Sequence, residues 1–469
     1  MRKAKIVCTI GPASSSRRMI STLIRNGMDV ARLNFSHGDH ATHKEALSLI
    51  REEAAGQKRN VSLLQDLQGI KIRIGNVAND EAALRAGEEI LLCPGTQVSS
   101  CKALFISYPA LLKDVREGED ILLDDGLIKL RVTGKTKNAL KARIIEGGIL
   151  KSKKGVNLPS SKTSLPAFTD KDKKDLEFGI KIGVDYVAIS FVRTTGDIEA
   201  VRKWAERKRL RLPPLIAKIE KPEALGNING IMDMVDGIMV ARGDLGVEMP
   251  TERVPMIQKM LIDLANKKGK LVITATQMLE SMTRHTRPTR AEASDVANAV
   301  LDGTDALMLS AETASGMYPV EALKTMDTII RYTEESFAHK IESLYQIGSR
   351  FPEAIADGAC NAARDINARA IVVFTHKGFT ARLISKLRPS VPVIAFTPDE
   401  KVLRRMPLYR GVSGRLMKRR DLKILASEFM ADIKKDLLKA KLAKRGDNII
   451  FVASSPFLGE PNIMRLHRL

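Results

Sequence analysis

Eight short apolar runs recur between Lys5 and Leu309, and polar side chains stand at the end of each. They are Lys5 to Ile10, Asp29 to Leu33, Val61 to Gln65, Tyr186 to Ser190, Leu215 to Ile219, Gly237 to Ala241, Leu271 to Ala275 and Ala306 to Leu309. Amphipathic helical stretches alternate with them, the pattern of β/α units around a parallel sheet. Their number predicts a (β/α)8 barrel, whose active site lies at the C-terminal ends of the strands. Those ends offer Thr9 and Pro12, then Arg32, Asn34 and Ser36, then Asp66, then Ser190, Lys218 with Glu220, Arg242 with Asp244, Thr276 with Gln277, and Ser310 with Glu312. Random placement would scatter polar residues over both ends of a barrel. Their accumulation on one rim predicts a functional face.

The stretch Leu215 to Glu248 is the most informative part of that rim. Two apolar runs end in Lys218-Ile219-Glu220 and in Arg242-Gly243-Asp244. On adjacent parallel strands, Glu220 and Asp244 would stand close together as hard oxygen ligands for Mg2+, leaving further positions for substrate. Lys218 would stand beside the ion, and Gly243 lets backbone approach a ligand at a helix start suited to an anion. The plainer alternative is that these charges only pair with one another at a sheet rim.

A chain of 469 residues with 44% hydrophobic content predicts two or three domains. Between Gly69 and Pro166 the helical period gives way to alternating strands and turns, so residues 70–166 read as an inserted, β-barrel-like lid. It grows from the active-site rim and can exclude water on closing. Residues 1–69 and 167–338 are left to the barrel. The lid's exit carries Lys154, for which a solvated turn is the simpler reading from the residues alone. In residues 339–469 the runs Ala370 to Thr375, Val391 to Phe396 and Asn448 to Val452 predict a third domain of open α/β type. Thr375, His376, Lys377, Gly378, Phe379 and Thr380 then form either a phosphate pocket or an ordinary strand-to-helix turn.

The formal net charge of +21 attracts polyanions. With 4% aromatic residues and one Trp there are too few stacking platforms for a dedicated nucleic-acid binder. The basic residues are densest in 415–420 and 434–445, which read as solvated helix faces. Four scattered cysteines form no C-x-x-C pair, arguing against a disulfide framework or a zinc site and for a reducing compartment. The N-terminus lacks an apolar signal core and no run is long enough to cross a bilayer, so a soluble, cytoplasmic protein is expected.

Several segments carry a resemblance over essentially the whole chain: Thr9-Ile-Gly-Pro-Ala-Ser14, Ala31-Arg-Leu-Asn-Phe-Ser-His-Gly38, Lys153-Lys-Gly-Val-Asn-Leu-Pro159, Ala217-Lys-Ile-Glu220, Met239-Val-Ala-Arg-Gly-Asp-Leu-Gly246, Ala275-Thr-Gln-Met-Leu-Glu-Ser281, Arg287-Pro-Thr-Arg-Ala-Glu292 and Met308-Leu-Ser-Ala-Glu-Thr313. The chain resembles the pyruvate kinases. That resemblance implies a homotetramer that moves a phosphoryl group from phosphoenolpyruvate to ADP and protonates the enolate, giving pyruvate and ATP. It implies Mg2+ (or Mn2+) on Glu220 and Asp244, with Lys218 stabilising charge on the phosphoryl and enolate oxygens. Gly243 and Asp244 N–H groups with the Thr276 hydroxyl would take the substrate carboxylate, Thr276 lying where the proton arrives. Arg32 would meet the phosphoryl group in flight, and Arg73 and Lys154 the nucleotide phosphates, with His37, Pro12 and Asn34 bordering the nucleotide. Glu312 and Arg290 are assigned no chemistry. The Arg287 to Glu292 segment fits the subunit interface as well as the site.

The resemblance also implies a phosphorylated effector at Thr375 to Thr380. The stretch Ser454 to Met464 is poorer in glycine than the usual family loop, which counts against fructose 1,6-bisphosphate. A further departure concerns K+, which many family members hold at positions matching Asn34, Ser36, Asp66 and the Leu67 carbonyl. Here Leu67, Gln68 and Lys71 replace the family's Thr, Lys and Glu, and Ile70 its Pro. The expectation is that Lys71 supplies the positive charge near Asp66 and that K+ is not required. Two other functions remain open from the residues: an Mg2+-dependent aldolase that stabilises an enolate without phosphoryl transfer, and a basic polyanion-binding protein on a barrel scaffold.

Overall fold

The computed structural model describes residues 2–161, 163–337, 351–417, 427–454 and 461–469. Three strands come first: β1 (Lys5–Ile10), β2 (Val30–Asn34) and β3 (Ser62–Asp66). An insertion follows with β4 (Glu81–Leu84), β5 (Glu89–Pro94), β6 (Ala103–Ile106), β7 (Asp120–Leu123), β8 (Ile128–Lys135), β9 (Leu140–Glu146), β10 (Gly148–Lys151) and β11 (Val156–Asn157). The first series then resumes in β12 (Tyr186–Ile189), β13 (Leu215–Ile219), β14 (Gly237–Ala241), β15 (Leu271–Ala275) and β16 (Ala306–Leu309).

β1, β2, β3 and β12 to β16 close into a parallel barrel in the order β1-β16-β15-β14-β13-β12-β3-β2. Every residue of β1, β3, β14 and β15 is buried, and β14 and β15 accordingly read as near-continuous apolar runs. Side chains alternate across the barrel wall. One set, including Ile6, Leu63, Ala217 and Val240, packs under the surrounding helices. The other, including Val7, Leu64, Ile216 and Met239, belongs to a cluster that continues into the C-terminal residues.

The insertion folds as a six-stranded sheet, β11-β7-β8-β9-β5-β6, and a two-stranded ribbon, β10-β4, around one apolar core. It leaves the barrel at Gly69, whose φ of +66° suits glycine. The helix Asp170–Ile182 begins with a capping box between Thr169 and Asp172. Asp172 also accepts the Gly69 N–H at 3.0 Å, so the same cap anchors the lid's root.

The C-terminal strands are β17 (Ala370–Phe374), β18 (Val393–Thr397), β19 (Val412–Leu416), β20 (Asn448–Ser454) and β21 (Pro461–Arg468), in the order β19-β18-β17-β20-β21. Only the β20–β21 pair is antiparallel among the described strands of this sheet. The expectation of helix faces at both basic stretches needs correcting at its start: Arg415 stands on strand β19, 3.4 Å from Asp436. Lys434, Lys435 and Lys439 do lie on the helix Ser427–Lys439, but Lys441, Lys444 and Arg445 follow its end and are not on a helix face. Residues 418–420, and 455–460 within the glycine-poor stretch, lie outside the described residues.

This domain seals the N-terminal end of the barrel. Tyr186 and Ser62 donate to the Arg405 and Arg404 carbonyls at 2.8 and 2.6 Å. Lys386 reaches across to Asp305 and, at 2.8 Å, to Asn266. Burial lowers the Lys386 ammonium to about 8 against the pull of Asp305. The opposite rim is left to the lid. Among the described residues no helix is long and apolar enough to cross a membrane, and all four cysteines are free thiols.

Candidate active site

Strand β13 delivers Lys218 to the rim, and Glu220 follows at its end. Lys218 Nζ stands 2.8 Å from Glu220 Oε1 and 3.3 Å from Asp66 Oδ1, and donates to Ser190 Oγ at 2.9 Å. Burial opposes the ammonium's charge, but Asp66, Glu220 and Asp244 together outweigh it and hold the lysine above its ordinary range. Lys218 is therefore a fixed cation rather than a base. Asp66 is also buried, yet Lys218 and Arg32 keep its carboxyl below the ordinary range. Arg32 Nε and Nη2 both lie 2.7 Å from Asp66 Oδ2, and its remaining nitrogen donates to Thr9 Oγ1 at 3.0 Å. Arg32, Asp66, Lys218 and Glu220 thus form one chain of alternating charge.

Glu220 accepts the Phe191 N–H at 2.6 Å. Burial, opposed by Lys218 and reinforced by the nearby Asp244 charge, pushes its carboxyl up to about 7. Parallel pairing of Ile219 with Val240 brings the ends of β13 and β14 side by side, so Asp244 in the short helix Arg242–Glu248 comes up next to Glu220. Two carboxylates in one water-poor place repel each other, and a divalent cation between them relieves that repulsion. No group of three or more His, Cys, Asp or Glu forms a metal cluster among the described residues. Two protein oxygens are what Mg2+ takes when waters and substrate complete its shell.

Gly243 and Thr276 bond to each other. The Gly243 N–H donates to Thr276 Oγ1 at 2.7 Å, and that hydroxyl donates to the Ala275 carbonyl at 2.6 Å. A side chain on residue 243 would place its Cβ 3.3 Å from Thr276 Oγ1, so glycine permits this approach. Thr276 and Gln277 both have left-handed backbone, φ +69° and +53°. Such strain in a β-branched residue persists only where neighbours impose it. Arg242 does so: it turns from the rim, meets both oxygens of Asp295 at 2.6 Å and donates to the Thr276 and Gln277 carbonyls at 2.9 and 3.2 Å.

Pro12, Asn34 and His37 line a cavity of about 550 Å³ together with Thr9, Arg32 and Ser310. Burial, then the charges of Lys71, Arg73 and Arg32, lowers the His37 imidazole below its ordinary value. Arg73 bridges Gly155 through its backbone, and Lys154 pairs with Asp124 at 2.8 Å, so both belong to the lid. Around the expected cation position the oxygens already accept hydrogen bonds. Asn34 Oδ1 takes the Ser36 N–H at 3.1 Å and the Leu67 carbonyl takes the Ser190 hydroxyl at 2.7 Å. Lys71 is exposed and makes no ion pair with Asp66. It lines a cleft of about 160 Å³ beneath the lid with Asp125, Asn157, Lys221, Asp244 and Glu248.

Glu312 is structural: buried, it accepts the Leu279 and Ser310 N–H groups at 3.0 and 2.7 Å. In the C-terminal loop, Thr375 accepts the Gly378 N–H at 3.0 Å and is buried, as is Thr380. His376, Lys377 and Phe379 are exposed. Sequence reading missed the Arg242–Asp295 pair and the contact of Glu248 with Asn157 and Lys221, because spacing carries no signal of either.

Comparison with known proteins agrees with this geometry. The family model for the pyruvate kinase barrel domain matches residues 1–323, and that for the pyruvate kinase alpha/beta domain matches residues 353–467. A pyruvate kinase of Geobacillus stearothermophilus is 44% identical over 474 residues, covering 99% of this chain and 80% of the relative. One from Clostridium perfringens is 42% identical over 480 residues and covers the whole of both chains. The crystal structure of a pyruvate kinase from Cryptosporidium parvum superposes with a TM-score of 0.91 at 37% identity, covering 100% of this chain and 96% of that one. With both family domains matched in order and whole-length relatives at this identity, the chain belongs to the pyruvate kinase family.

Proposed function

We propose that the rim transfers the phosphoryl group of phosphoenolpyruvate to ADP and protonates the resulting enolate, yielding ATP and pyruvate. The observation that carries this is the buried charge chain Arg32–Asp66–Lys218–Glu220 with Asp244 beside it. Phosphoryl transfer asks little covalent chemistry of a protein and much fixed charge, and this chain supplies it. Glu220 and Asp244 would hold Mg2+ or Mn2+, which when bound acts as a Lewis acid toward the phosphoryl and enolate oxygens. Lys218 and Arg32 stabilise negative charge on those oxygens, each held in place by Asp66. Gly243 N–H and the Thr276 hydroxyl exchange their mutual bond for the substrate carboxylate. Thr276, locked by Arg242, then lies on the side from which the enolate is protonated.

The nucleotide enters the cavity bordered by Pro12, Asn34 and His37, and lid closure brings Arg73 and Lys154 to its phosphates. Since Lys154 is held by Asp124, closure exchanges one anionic partner for another. K+ is not required in this reading, supported by Lys71, which lines the cleft beneath the lid together with Asp244. Domain limits at 69/70, 166/167 and 338/339, a homotetramer, a cytoplasmic location and a phosphorylated effector near His376 and Lys377 complete the proposal, supported by family membership. The test is pyruvate formation coupled to lactate dehydrogenase, with Mg2+, with and without ADP. ADP-dependent pyruvate supports the reading; pyruvate released without ADP, or phosphoenolpyruvate consumed only with an aldehyde present, overturns it.

A further inference from the structure

Glu248 ends the helix that carries Gly243 and Asp244, and its side chain is only 1% exposed. Its Oε1 receives two donors, Lys221 Nζ at 2.7 Å and Asn157 Nδ2 at 2.8 Å. Its Oε2 is buried with no hydrogen-bond partner among the described residues. A buried carboxylate with one oxygen unsatisfied is costly, so its partners bear on why it is there. Asn157 lies on β11, which pairs with β7 and leads the chain out of the lid. Lys221 directly follows Glu220. One carboxylate therefore joins the lid, the end of β13 and the helix bearing Asp244, on the wall of the cleft between lid and barrel.

We propose that Glu248 is the lid's catch, a positioning residue that holds the lid through Asn157 while fixing Lys221 and the Asp244 helix beside Glu220. Closing the lid gives the carboxylate a neutral donor that opening removes, so the closed lid and the ordered metal ligands favour each other. The inference rests on the rim being the phosphoryl-transfer site, but the contact itself is measurable without turnover. Asn157→Asp changes no volume and sets a carboxylate against Glu248. Glu248→Gln in the same chain restores a donor and acceptor pair in the reverse sense.

The experiment is a double-mutant cycle on the full chain, read by amide hydrogen exchange of β7 and β11 with Mn2+ alone, and separately by kcat and KM. Asn157→Asp is expected to speed lid exchange and to lower kcat by about tenfold, with the KM for phosphoenolpyruvate changed by less than about threefold. The double variant is expected to recover most of both losses. Asn157→Ala, which introduces no charge, is expected to loosen the lid to a smaller degree. Unchanged exchange and kcat in Asn157→Asp, or losses in the double variant that merely add, would overturn the proposal. Faster lid exchange in Asn157→Asp, rescued in the double variant of a protein that makes no pyruvate, would uphold the catch and remove only the reaction assigned to the rim.

Discussion

Replacing Lys218 by methionine keeps the buried stem and deletes one charge from the centre of the rim. At an effective dielectric near ~20, unit charges 2.8 and 3.3 Å apart attract by about 6 and about 5 kcal/mol, before the cost of burying them is subtracted. Most of that attraction exists before and during the reaction alike, so it organises the site without lowering the barrier. The part lost in turnover is the charge facing the oxyanion as it develops. For a single preorganised donor this is about 2.7–4 kcal/mol, or about 10²–10³-fold. Glu220 and Asp244 remain, so Mn2+ still binds. The assay is kcat at saturating phosphoenolpyruvate and ADP, beside Mn2+ binding followed by electron paramagnetic resonance at pH 8. A kcat within about threefold of the unmutated protein, at unchanged Mn2+ affinity, would remove Lys218 from the mechanism.

Three other outcomes follow from the same geometry. Initial rates in tetramethylammonium buffer should change by less than about tenfold when KCl is added at constant ionic strength, whereas Lys71→Glu should create a K+ requirement; a rise of about tenfold or more in the unmutated protein refutes the substitution. Gly69→Ala should destabilise the protein by about 1–3 kcal/mol and slow turnover, because φ is +66° there and the new Cβ would lie 2.9 Å from that of Ser190, the acceptor of Lys218. An unchanged melting temperature contradicts this. Lys386, lowered by burial from 10.5 to about 8, sheds its proton in the folded protein before the unfolded chain does. Its penalty is therefore relieved as pH rises from 8 toward 10.5, and stability relative to Lys386→Met should increase across that window. A flat difference between the two proteins would show that Lys386 titrates normally.

The barrel was legible because its strands are buried on both faces. Lys5–Ile10, Leu215–Ile219, Gly237–Ala241, Leu271–Ala275 and Ala306–Leu309 fall where their apolar runs fall, Val30–Asn34 and Ser62–Asp66 are displaced by one residue, and Tyr186–Ile189 ends one residue short of its run. β19, with Ser413, Gly414 and Arg415 among its five residues, and β21, an edge strand of mixed polarity, gave no such run and escaped notice. The rim residues were legible for a related reason: Lys218, Glu220, Asp244 and Thr276 each sit within three residues of the end of an apolar run. Partner choice was not. Arg242 reads as one more cation facing the ligand, yet Asp295, 53 residues away, turns it onto the Thr276 loop. Glu248 carries no signal in the sequence, and only the placing of the lid shows that Asn157, 91 residues away, is bonded to it.

The most direct measurement is a ³¹P nuclear magnetic resonance time course of phosphoenolpyruvate and ADP with the purified protein and Mg2+ in K+-free buffer. The phosphoenolpyruvate resonance is expected to fall while the γ-phosphate of ATP grows in equal amount, and Glu220→Gln is expected to stop both. Release of inorganic phosphate without ATP, or equal conversion by Glu220→Gln, would contradict the assignment of this rim to phosphoryl transfer.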